Sequence, residues 1–254
     1  MKKTFLLLLS VLFVLTVSES AAVSILFDGS SLPEDQGWLN YSNGGFDAQR
    51  PVAVTGSSGG TFHSSTDGLT FNEYMKYIGS DSFYVSLSVS IESAFHTQHD
   101  AGFTFSPIGR KYPITGEGSN AFVWTERYHG LYIDTDGIGF LDNSQSYAMD
   151  TSGFHDYSIV YEDDFIEVFI DETYSEIVNN VAIPVLSRQV VGVNWDNFLR
   201  GAIVFGDTTN ELGSNSSYYI GSMEISDSLE PVPEPSSLLL LGLGSFMLRR
   251  KRKE

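Results

Sequence analysis

Residues 83–91 alternate apolar and small polar side chains and read Phe-Tyr-Val-Ser-Leu-Ser-Val-Ser-Ile. Successive side chains of a β-strand point to opposite faces, so this pattern predicts a strand with one buried face and one solvated face. Similar runs lie at residues 101–105, 121–126, 130–134, 138–141, 157–161, 166–171, 202–205 and 218–225. Sustained helical periodicity is absent from the body of the chain, and only residues 186–200 are ambiguous. We therefore predict an all-β body.

The sequence contains no cysteine, so disulfide bonds cannot stabilise this fold and a packed core must do so. Eighteen Phe and 13 Tyr residues supply bulky side chains that favour strands. Asp136-Gly137 stands between two alternating runs and predicts a hairpin turn. About ten short strands in one domain predict a two-sheet antiparallel sandwich, of jelly-roll type, over residues 23–230.

The first 22 residues have the three parts of a signal peptide. Lys2 and Lys3 are followed by an apolar run at residues 5–17 and by small residues at 18–22. The run is too short for a comfortable membrane span, and no polar face interrupts it as in a buried helix. We predict a signal helix at residues 1–22, removed on export.

The last 24 residues, 231–254, show a second ordered pattern. The prolines of Val232, Pro233, Glu234 and Pro235 stop any strand, because proline has no backbone donor. Residues 236–248 are apolar or small, fewer than the roughly 20 of a normal span. A basic stop follows, made of Arg249, Arg250, Lys251, Arg252 and Lys253. Basic ends stay cytoplasmic, so this short membrane helix would hold the body outside.

These three parts in this order resemble the PEP-CTERM sorting signal of Gram-negative bacteria. The resemblance implies that an exosortase-type membrane protease is a partner and cuts near Pro233-Glu234-Pro235. It also implies export, a transient stay in the inner membrane, and a final place at the cell surface or in the extracellular matrix. A plain C-terminal anchor without processing is the alternative.

The exported part, residues 23–235, contains 7 basic and 30 acidic residues, a net charge of −23. Nucleic acid and anionic lipid surfaces are poor partners for such a charge. Divalent cations and neutral or basic surfaces remain open as partners. Solubility outside the cell explains the same composition without any ligand.

Residues 154–172 are similar to the central hairpin of concanavalin A-like and laminin-G-like domains. In that hairpin a His-x-Tyr strand, here His155 to Tyr157, turns into a strand that ends in Asp, here Asp171. Residues 25–29, followed by Trp38, resemble the first strand of such domains. The resemblance implies a sandwich of the class that includes glycoside hydrolases, whose chemistry needs a pair of carboxylates.

No catalytic residues are predicted. The nearest acids are Glu167, Asp171 and Glu172, and their spacing differs from the Glu-x-Asp-x-x-Glu strand of laminarinase-like enzymes. Glu167 and Asp171 lie four residues apart with the apolar Phe169 between them on the same face. The body is therefore predicted to be non-enzymatic, and a polysaccharide hydrolase or lyase with a divergent site is the alternative.

Calcium is the one candidate cofactor. Asp134, Asp136 and Asp142 surround glycines but depart from the EF-hand pattern, and a plain hairpin explains them without metal. By family analogy, Asp28, Asp207 and Asp227 form a candidate metal site at the rim of the sandwich. His96 and His99 would fall on opposite faces of an extended chain, so a polar loop explains them better than zinc does.

Aromatic rings that stack on sugars are the remaining candidates, because a ring face offers apolar contact to pyranose C–H groups. Trp38, Tyr41 and Tyr132 are three such rings. The candidate glycan-binding residues are Trp124, Tyr128, Trp195 and Asn197. The sequence thus predicts an exported sandwich that has polysaccharide as its candidate ligand. A purely structural matrix protein is the second alternative.

Overall fold

The computed structural model describes residues 23–40, 54–65, 72–95, 103–110, 129–196, 198–207 and 215–229. The predicted signal helix, the C-terminal sorting segment and the predicted strand at 121–126 lie outside these ranges. Within them, no helix is long and apolar enough to cross a membrane.

The described residues contain fifteen strands, one short 3-10 helix and one α-helix, joined by turns and loops. The strands are β1 (Ser24–Asp28), β2 (Leu39–Asn40), β3 (Val54–Ser58), β4 (Thr61–Ser65), β5 (Asn72–Tyr77), β6 (Phe83–Phe95), β7 (Phe103–Arg110), β8 (Leu131–Asp134), β9 (Gly137–Phe140), β10 (Ser146–Ala148), β11 (His155–Glu162), β12 (Phe165–Ile170), β13 (Leu186–Gln189), β14 (Phe198–Asp207) and β15 (Asn215–Ser226). The 3-10 helix is Pro33–Gln36 and α1 is Tyr174–Val178.

The strands form two antiparallel sheets. Sheet A has the order β13-β12-β11-β6-β15-β4-β3, and β1 also pairs with β15. One half of β15 pairs with β4 and the other half with β1, so β1 and β4 follow one another along the same side of β15. Sheet B has the order β10-β9-β8-β7-β14-β5-β2. This architecture confirms the predicted all-β sandwich.

Alternate side chains of both sheets form a single core. In β6, Phe83, Val85, Leu87, Val89 and Ile91 all point inward, as the alternation predicted. They meet inward residues of sheet B such as Phe103, Phe105, Ile133, Ile203 and Phe205. Burial of each such side chain stabilises the fold by about 1.5–3 kcal/mol, so this core takes the place of disulfide bonds.

Strands β11 and β12 form the hairpin that residues 154–172 predicted. Its two-residue turn is Asp163–Asp164, and both residues have positive φ, 49° and 59°. Aspartate tolerates this left-handed conformation, and a turn of this kind matches the twist of the two strands. At the other end, Nδ1 of His155 lies 2.7 Å from a carboxylate oxygen of Asp171. The His and Asp of the sequence pattern therefore close the open end of the hairpin.

Three local features differ from or refine the prediction. The hairpin between β8 and β9 turns at Thr135–Asp136, one residue earlier than predicted, and Gly137 already belongs to β9. A Cβ at Gly137 would collide with the Tyr147 carbonyl of β10, so close strand approach explains this glycine. The ambiguous residues 186–200 contribute to two strands and no helix.

The α-helix α1 was not predicted, since five residues are too few to show a helical period. It starts with a capping box in which Thr173 and Glu176 bond each other's backbone N–H groups. Tyr174 and Ile177 pack on Tyr84 and Phe169, on the face of sheet A that points away from the core. The helix therefore covers one part of that face.

Candidate functional site

The outer face of sheet A, which points away from the core, is polar where α1 does not cover it. In β6 this face carries Ser86, Ser88 and Ser90, the residues between the core positions, and then Glu92. Between Ile91 and Ser93, β6 has one residue more than its partner β15, which is a β-bulge. Bulges re-aim side chains, and this one places the Glu92 carboxylate beside β15.

Two aromatic rings stand together on the neighbouring strands. His63 of β4 and Tyr219 of β15 are directly opposite in the strand register. Their rings stack with centroids 4.5 Å apart and planes inclined by 22°. Both residues are half-buried. We name them the His63–Tyr219 pair; a stack of two rings keeps one outward ring face on each side.

Hydrogen bonds hold the pair to Glu92. The Ser217 hydroxyl donates to Oε2 of Glu92 at 2.6 Å, and Nε2 of His63 lies 3.0 Å from the same hydroxyl oxygen. Because the serine proton goes to the carboxylate, this network assigns the Nε2 proton to His63, which donates to Ser217. The imidazole therefore does not act as a base toward Ser217, and its bond orients the ring against Tyr219.

A groove of about 280 Å³ runs beside the pair. It is lined by Gly56, Ser57, Ser58, Thr61, His63 and Tyr219. The wall is the β3–β4 hairpin, whose turn residues Gly59 and Gly60 have φ of 65° and 81°, a region that suits glycine. The Ser57 hydroxyl donates to the Gly29 carbonyl, and Gly29 leaves no room for a Cβ against Gly60. The groove is thus built on a hairpin fixed to β1.

Phe154 adds a further ring to this face. Its side chain is half-exposed, and its ring edge lies 3.7 Å from where a Cβ of Gly221 would be. Ser88 borders the same spot at 3.8 Å. Phe154 therefore lies over β15 and β6. The residue beneath it in β15 is Gly221, two residues from Tyr219 along that strand.

A second groove, of about 320 Å³, lies between the two sheets beside β1 and β5. It is lined by Ser24, Leu26, Lys76, Tyr77, Ile78, Ile225 and Asp227. Its ammonium group, Nζ of Lys76, already donates to the Gln36 carbonyl at 2.9 Å. This groove has no stacked ring pair with a carboxylate beside it, so the outer face of sheet A is the stronger candidate site.

Of the four predicted glycan-binding residues, only Trp195 lies among the described residues. Trp195 is half-buried against the core, and the guanidinium carbon of Arg200 lies 4.3 Å from its ring centroid. Arg200 also binds Asp164 in the β11–β12 turn. That turn lies beside the start of β6, whereas Tyr219 pairs with Ser90 further along the strand. Trp124, Tyr128 and Asn197 lie outside the described residues, as does Tyr41.

Two of the other predicted aromatic platforms lie inside the molecule. Trp38 packs its ring on Phe205 and Phe27 in the core. Tyr132 is 5% exposed, and burial raises the pKa of its hydroxyl. Neither ring is available to a sugar.

The three rim acids proposed for calcium do not meet. Asp28 ends β1 and Asp227 follows the part of β15 that pairs with the start of β1, so the two lie at opposite ends of β1. The Asp28 carboxylate accepts bonds from Ser30, and Asp227 shares its groove with the cation of Lys76. The Asp207 side chain lies outside what the structure describes. Among the described residues no three His, Asp or Glu side chains gather as metal ligands, and His96 and His99 fall outside them.

Two of the acids considered for an EF-hand-like loop and for catalysis, Asp142 and Asp171, have structural partners. Asp134 and Asp142 lie at opposite ends of β9, and Asp142 pairs with Arg188 at 2.8 Å. Burial opposes ionisation of Asp142, but hydrogen bonds from Ser144 and Arg188 outweigh it and lower the pKa of this carboxyl. Asp171 accepts from His155 and from the Asp156 backbone N–H. Phe169, between Glu167 and Asp171, lies under α1.

Sequence reasoning missed the residues of the candidate site, which are His63, Glu92, Phe154, Ser217 and Tyr219. The contact of His63 with Ser217 spans 154 residues of chain. Only the strand order brings them together, and no local pattern encodes that order.

Comparison with solved structures finds proteins of similar overall shape. A carbohydrate esterase from the Shiga toxin-encoding bacteriophage phi24B is 15% identical, with a TM-score of 0.46 over 80% of this chain and 98% of that one. A protein of unknown function with a galectin-like fold from Bacillus subtilis is 10% identical, with a TM-score of 0.43 over 82% and 97%. Lectin I-B4 from Griffonia simplicifolia is 12% identical, with a TM-score of 0.42 over 80% and 99%. At such identities these likenesses carry no activity over to this chain.

Comparison at the level of sequence identifies the C-terminal segment. No curated protein matches the chain. Residues 231–253 match the PEP-CTERM protein-sorting motif, which confirms the prediction made from Val232 to Lys253. The motif indicates export and membrane-associated sorting in Gram-negative bacteria and implies processing by an exosortase. The chain therefore carries a PEP-CTERM sorting motif behind an antiparallel β-sandwich.

Proposed function

We propose that this protein is an exported, non-catalytic β-sandwich that binds polysaccharide on the outer face of sheet A, at the cell surface or in the extracellular matrix. The observation that carries the proposal is the His63–Tyr219 pair, joined to Glu92 through Ser217 and bordered by a groove of about 280 Å³.

The chemistry of the groove suits a sugar chain. A pyranose ring has apolar C–H faces and a rim of hydroxyl groups, so it needs a flat apolar contact and a few directed polar groups. The outward ring face of Tyr219 offers the contact. The Glu92 carboxylate and the serine hydroxyls of β3 offer acceptors and donors. Because Ser217 orients both His63 and Glu92, little side-chain freedom remains to be lost on binding.

The same hydrogen bonds support a binding role over a catalytic one. A serine nucleophile needs a base that takes its proton, whereas Ser217 gives its proton to Glu92 and accepts from His63. Glu92 is the one carboxylate that the described contacts place at the pair, and glycoside hydrolysis needs two facing carboxyl groups.

A glycan array with the purified full chain, run with and without calcium, tests the binding proposal. We expect wild-type protein to bind at least one polysaccharide class and Tyr219→Ala to lose most of that signal. Tyr77→Ala is the matched control, because Tyr77 is also a strand tyrosine, 60% exposed, but lies in sheet B. Silence on every glycan, or equal loss in both variants, contradicts the proposal. A calcium requirement would show that a metal ion contributes to binding.

We further propose that an exosortase-type protease cuts near Pro233-Glu234-Pro235 and releases the body from the inner membrane. Replacement of these three residues by alanine in a host with the protease should leave a longer, membrane-held product. Scrambling residues 208–214, outside the motif, is the control and should leave processing unchanged. An unchanged size and location of the alanine variant would contradict the proposal.

A further inference from the structure

We propose that the polysaccharide bound on the outer face of sheet A is cationic, a linear glycan with free amino groups. This inference rests on the proposed function and adds the charge class of the ligand. Two observations carry it: the partners of Glu92 at the ring pair, and the distribution of charge over the two sheets.

Glu92 has unused capacity to bind a cation. Its side chain is 56% exposed. Oε2 accepts from the Ser217 hydroxyl, whereas Oε1 has no hydrogen-bond partner among the described residues. Among the described residues, the nearest potential positive charge is His63, whose Nε2 lies 4.0 Å from Oε2 and is already bonded to Ser217. A ligand ammonium would supply the hydrogen-bond donor for Oε1 and the positive charge that pairs with this carboxylate.

The ring beside Glu92 suits the same ligand. An ammonium group is attracted to the face of a tyrosine ring through the quadrupole of the ring, within about 6 Å of its centroid. The Tyr219 hydroxyl lies 3.5 Å from Oε2 of Glu92, so ring and carboxylate are adjacent. An aminosugar would place its C–H face on the ring and its ammonium at the carboxylate, whereas a neutral sugar uses only the first contact.

The remainder of the face is also negative. Its other outward acids include Asp156 and Glu162 of β11, Glu167 of β12 and Glu224 of β15. The lysine and arginine side chains that the structure describes are Lys76, Arg188 and Arg200, which bind Gln36, Asp142 and Asp164. Within the described ranges no lysine or arginine therefore lies beside Glu92.

The sign of this field selects among polysaccharides. The exported part has a net charge of −23. A uronate or sulfated chain would be repelled, while a polyamine chain would be attracted and held at several points. The field acts over a Debye length, about 8 Å at physiological ionic strength, so acids outside the groove contribute as well.

Three hexasaccharides of different charge test the inference by titration calorimetry on the full chain. They are β-1,4-linked glucosamine, its N-acetylated form, and galacturonate. We expect glucosamine to bind roughly tenfold more tightly than the N-acetylated form, because only its free ammonium groups can pair with the Glu92 carboxylate, and galacturonate not to bind. Higher salt should weaken only the glucosamine complex.

Charge-matched variants separate the groove from the general field. Glu92→Gln should remove most of the preference for glucosamine and leave binding of the N-acetylated form unchanged. Glu162→Gln removes the same charge from the same face away from the ring pair and should change affinity less than twofold, since exposed pairs contribute little. Tyr219→Ala should weaken both complexes.

Each outcome of these measurements either supports or overturns the inference. Equal affinity for the glucosamine and N-acetylated hexamers overturns the charge inference and leaves the proposed glycan binding intact. Equal effects of Glu92→Gln and Glu162→Gln show non-specific attraction and overturn it too. Failure of all three hexamers to bind, together with a silent glycan array, overturns the inference and the proposed function together.

Discussion

In both sheets, alternate side chains of each strand point away from the core, but these outward side chains differ in their exposure to solvent. On sheet B, the outward Met75, Ala202 and Val204 form an apolar cluster that is at most 6% exposed. Its outward Thr104 is also buried, and its hydroxyl donates to the Gly206 carbonyl. On sheet A, Glu92 and Tyr219 remain accessible. A buried outer face serves stability and an open polar one is free to bind, which supports placing the proposed binding site on sheet A.

Introducing a charge on each face tests this contrast most strongly. Ala202→Asp buries a carboxylate in an apolar cluster and should lower the free energy of unfolding by at least about 3 kcal/mol. Ser88→Asp, at a partly exposed position on sheet A, should cost less than about 1 kcal/mol. Urea denaturation of both variants measures the difference. Equal losses would show that the two faces are equally buried and remove the contrast.

The two sheets are joined along one edge by polar contacts. Arg188 of β13 bonds Asp142 of the sheet B side, and the Gln145 side chain pairs with the Ser187 backbone. The Arg188 and Asp142 side chains are only 18% and 21% exposed.

Arg188→Met should therefore destabilise the fold by about 1–3 kcal/mol, because Asp142 would remain half-buried without its partner. Arg200→Met is the matched control. Its pair with Asp164 is 38% and 30% exposed and should contribute about 0–1 kcal/mol. Thermal unfolding of both variants gives the ranking, and a larger loss in Arg200→Met would contradict it.

Acidic pH should destabilise the same edge of the two sheets. His129 is buried beside it, and its Nε2 lies 2.9 Å from the Val191 carbonyl. Burial lowers the pKa of this imidazole, with a smaller lowering from the nearby charge of Arg188. The folded state favours the neutral form of His129. Its contribution to the free energy of unfolding is therefore fully present above the unfolded pKa of about 6.5 and decreases as pH drops toward the folded pKa.

We expect a slope of at most about 1.4 kcal/mol per pH unit from His129 below pH 6.5. His129→Gln should abolish this slope. Asp142→Asn should lower stability chiefly above about pH 4, and the loss should shrink in stronger acid, because the lowered pKa of Asp142 stabilises the fold above its unfolded pKa and this contribution disappears as the carboxylate is protonated. A slope that persists near pH 6 in His129→Gln would contradict this assignment.

The smallest effect on stability is expected at the candidate site itself. Tyr219→Ala removes a half-buried ring from the open face and should cost about 1 kcal/mol or less, while glycan binding falls roughly tenfold. Phe205→Ala, in the core, should cost about 3–5 kcal/mol. Denaturation of the two variants separates a binding residue from a packing residue; similar losses would place Tyr219 among the packing residues.

Local patterns predicted most of the strands from β6 onward but not β2 to β5, and they did not predict which strands are neighbours. Alternation identified β6, β8, β9, β11, β12 and β15, and the His155-to-Asp171 pattern identified a hairpin whose two ends do meet. The helix α1 depended on one capping box and packing against Tyr84, which leave no periodic signal. His63, Glu92 and Tyr219 come together through the order β6-β15-β4 and a bulge at Glu92. Neither the strand order nor the bulge can be recognised from local patterns in one sequence. The sorting motif was readable because all its parts are contiguous.

We propose above all that glycan binds on the outer face of sheet A. The most direct measurement is NMR chemical-shift mapping on the full chain during titration with the best-binding oligosaccharide of the array. Binding on the outer face of sheet A predicts shifts clustered at residues 56–63, at Glu92 and at residues 217–219, with the sheet B residues 202–206 unchanged. Shifts that cluster on sheet B or in the groove of Lys76 and Asp227, with none at Tyr219, would contradict it.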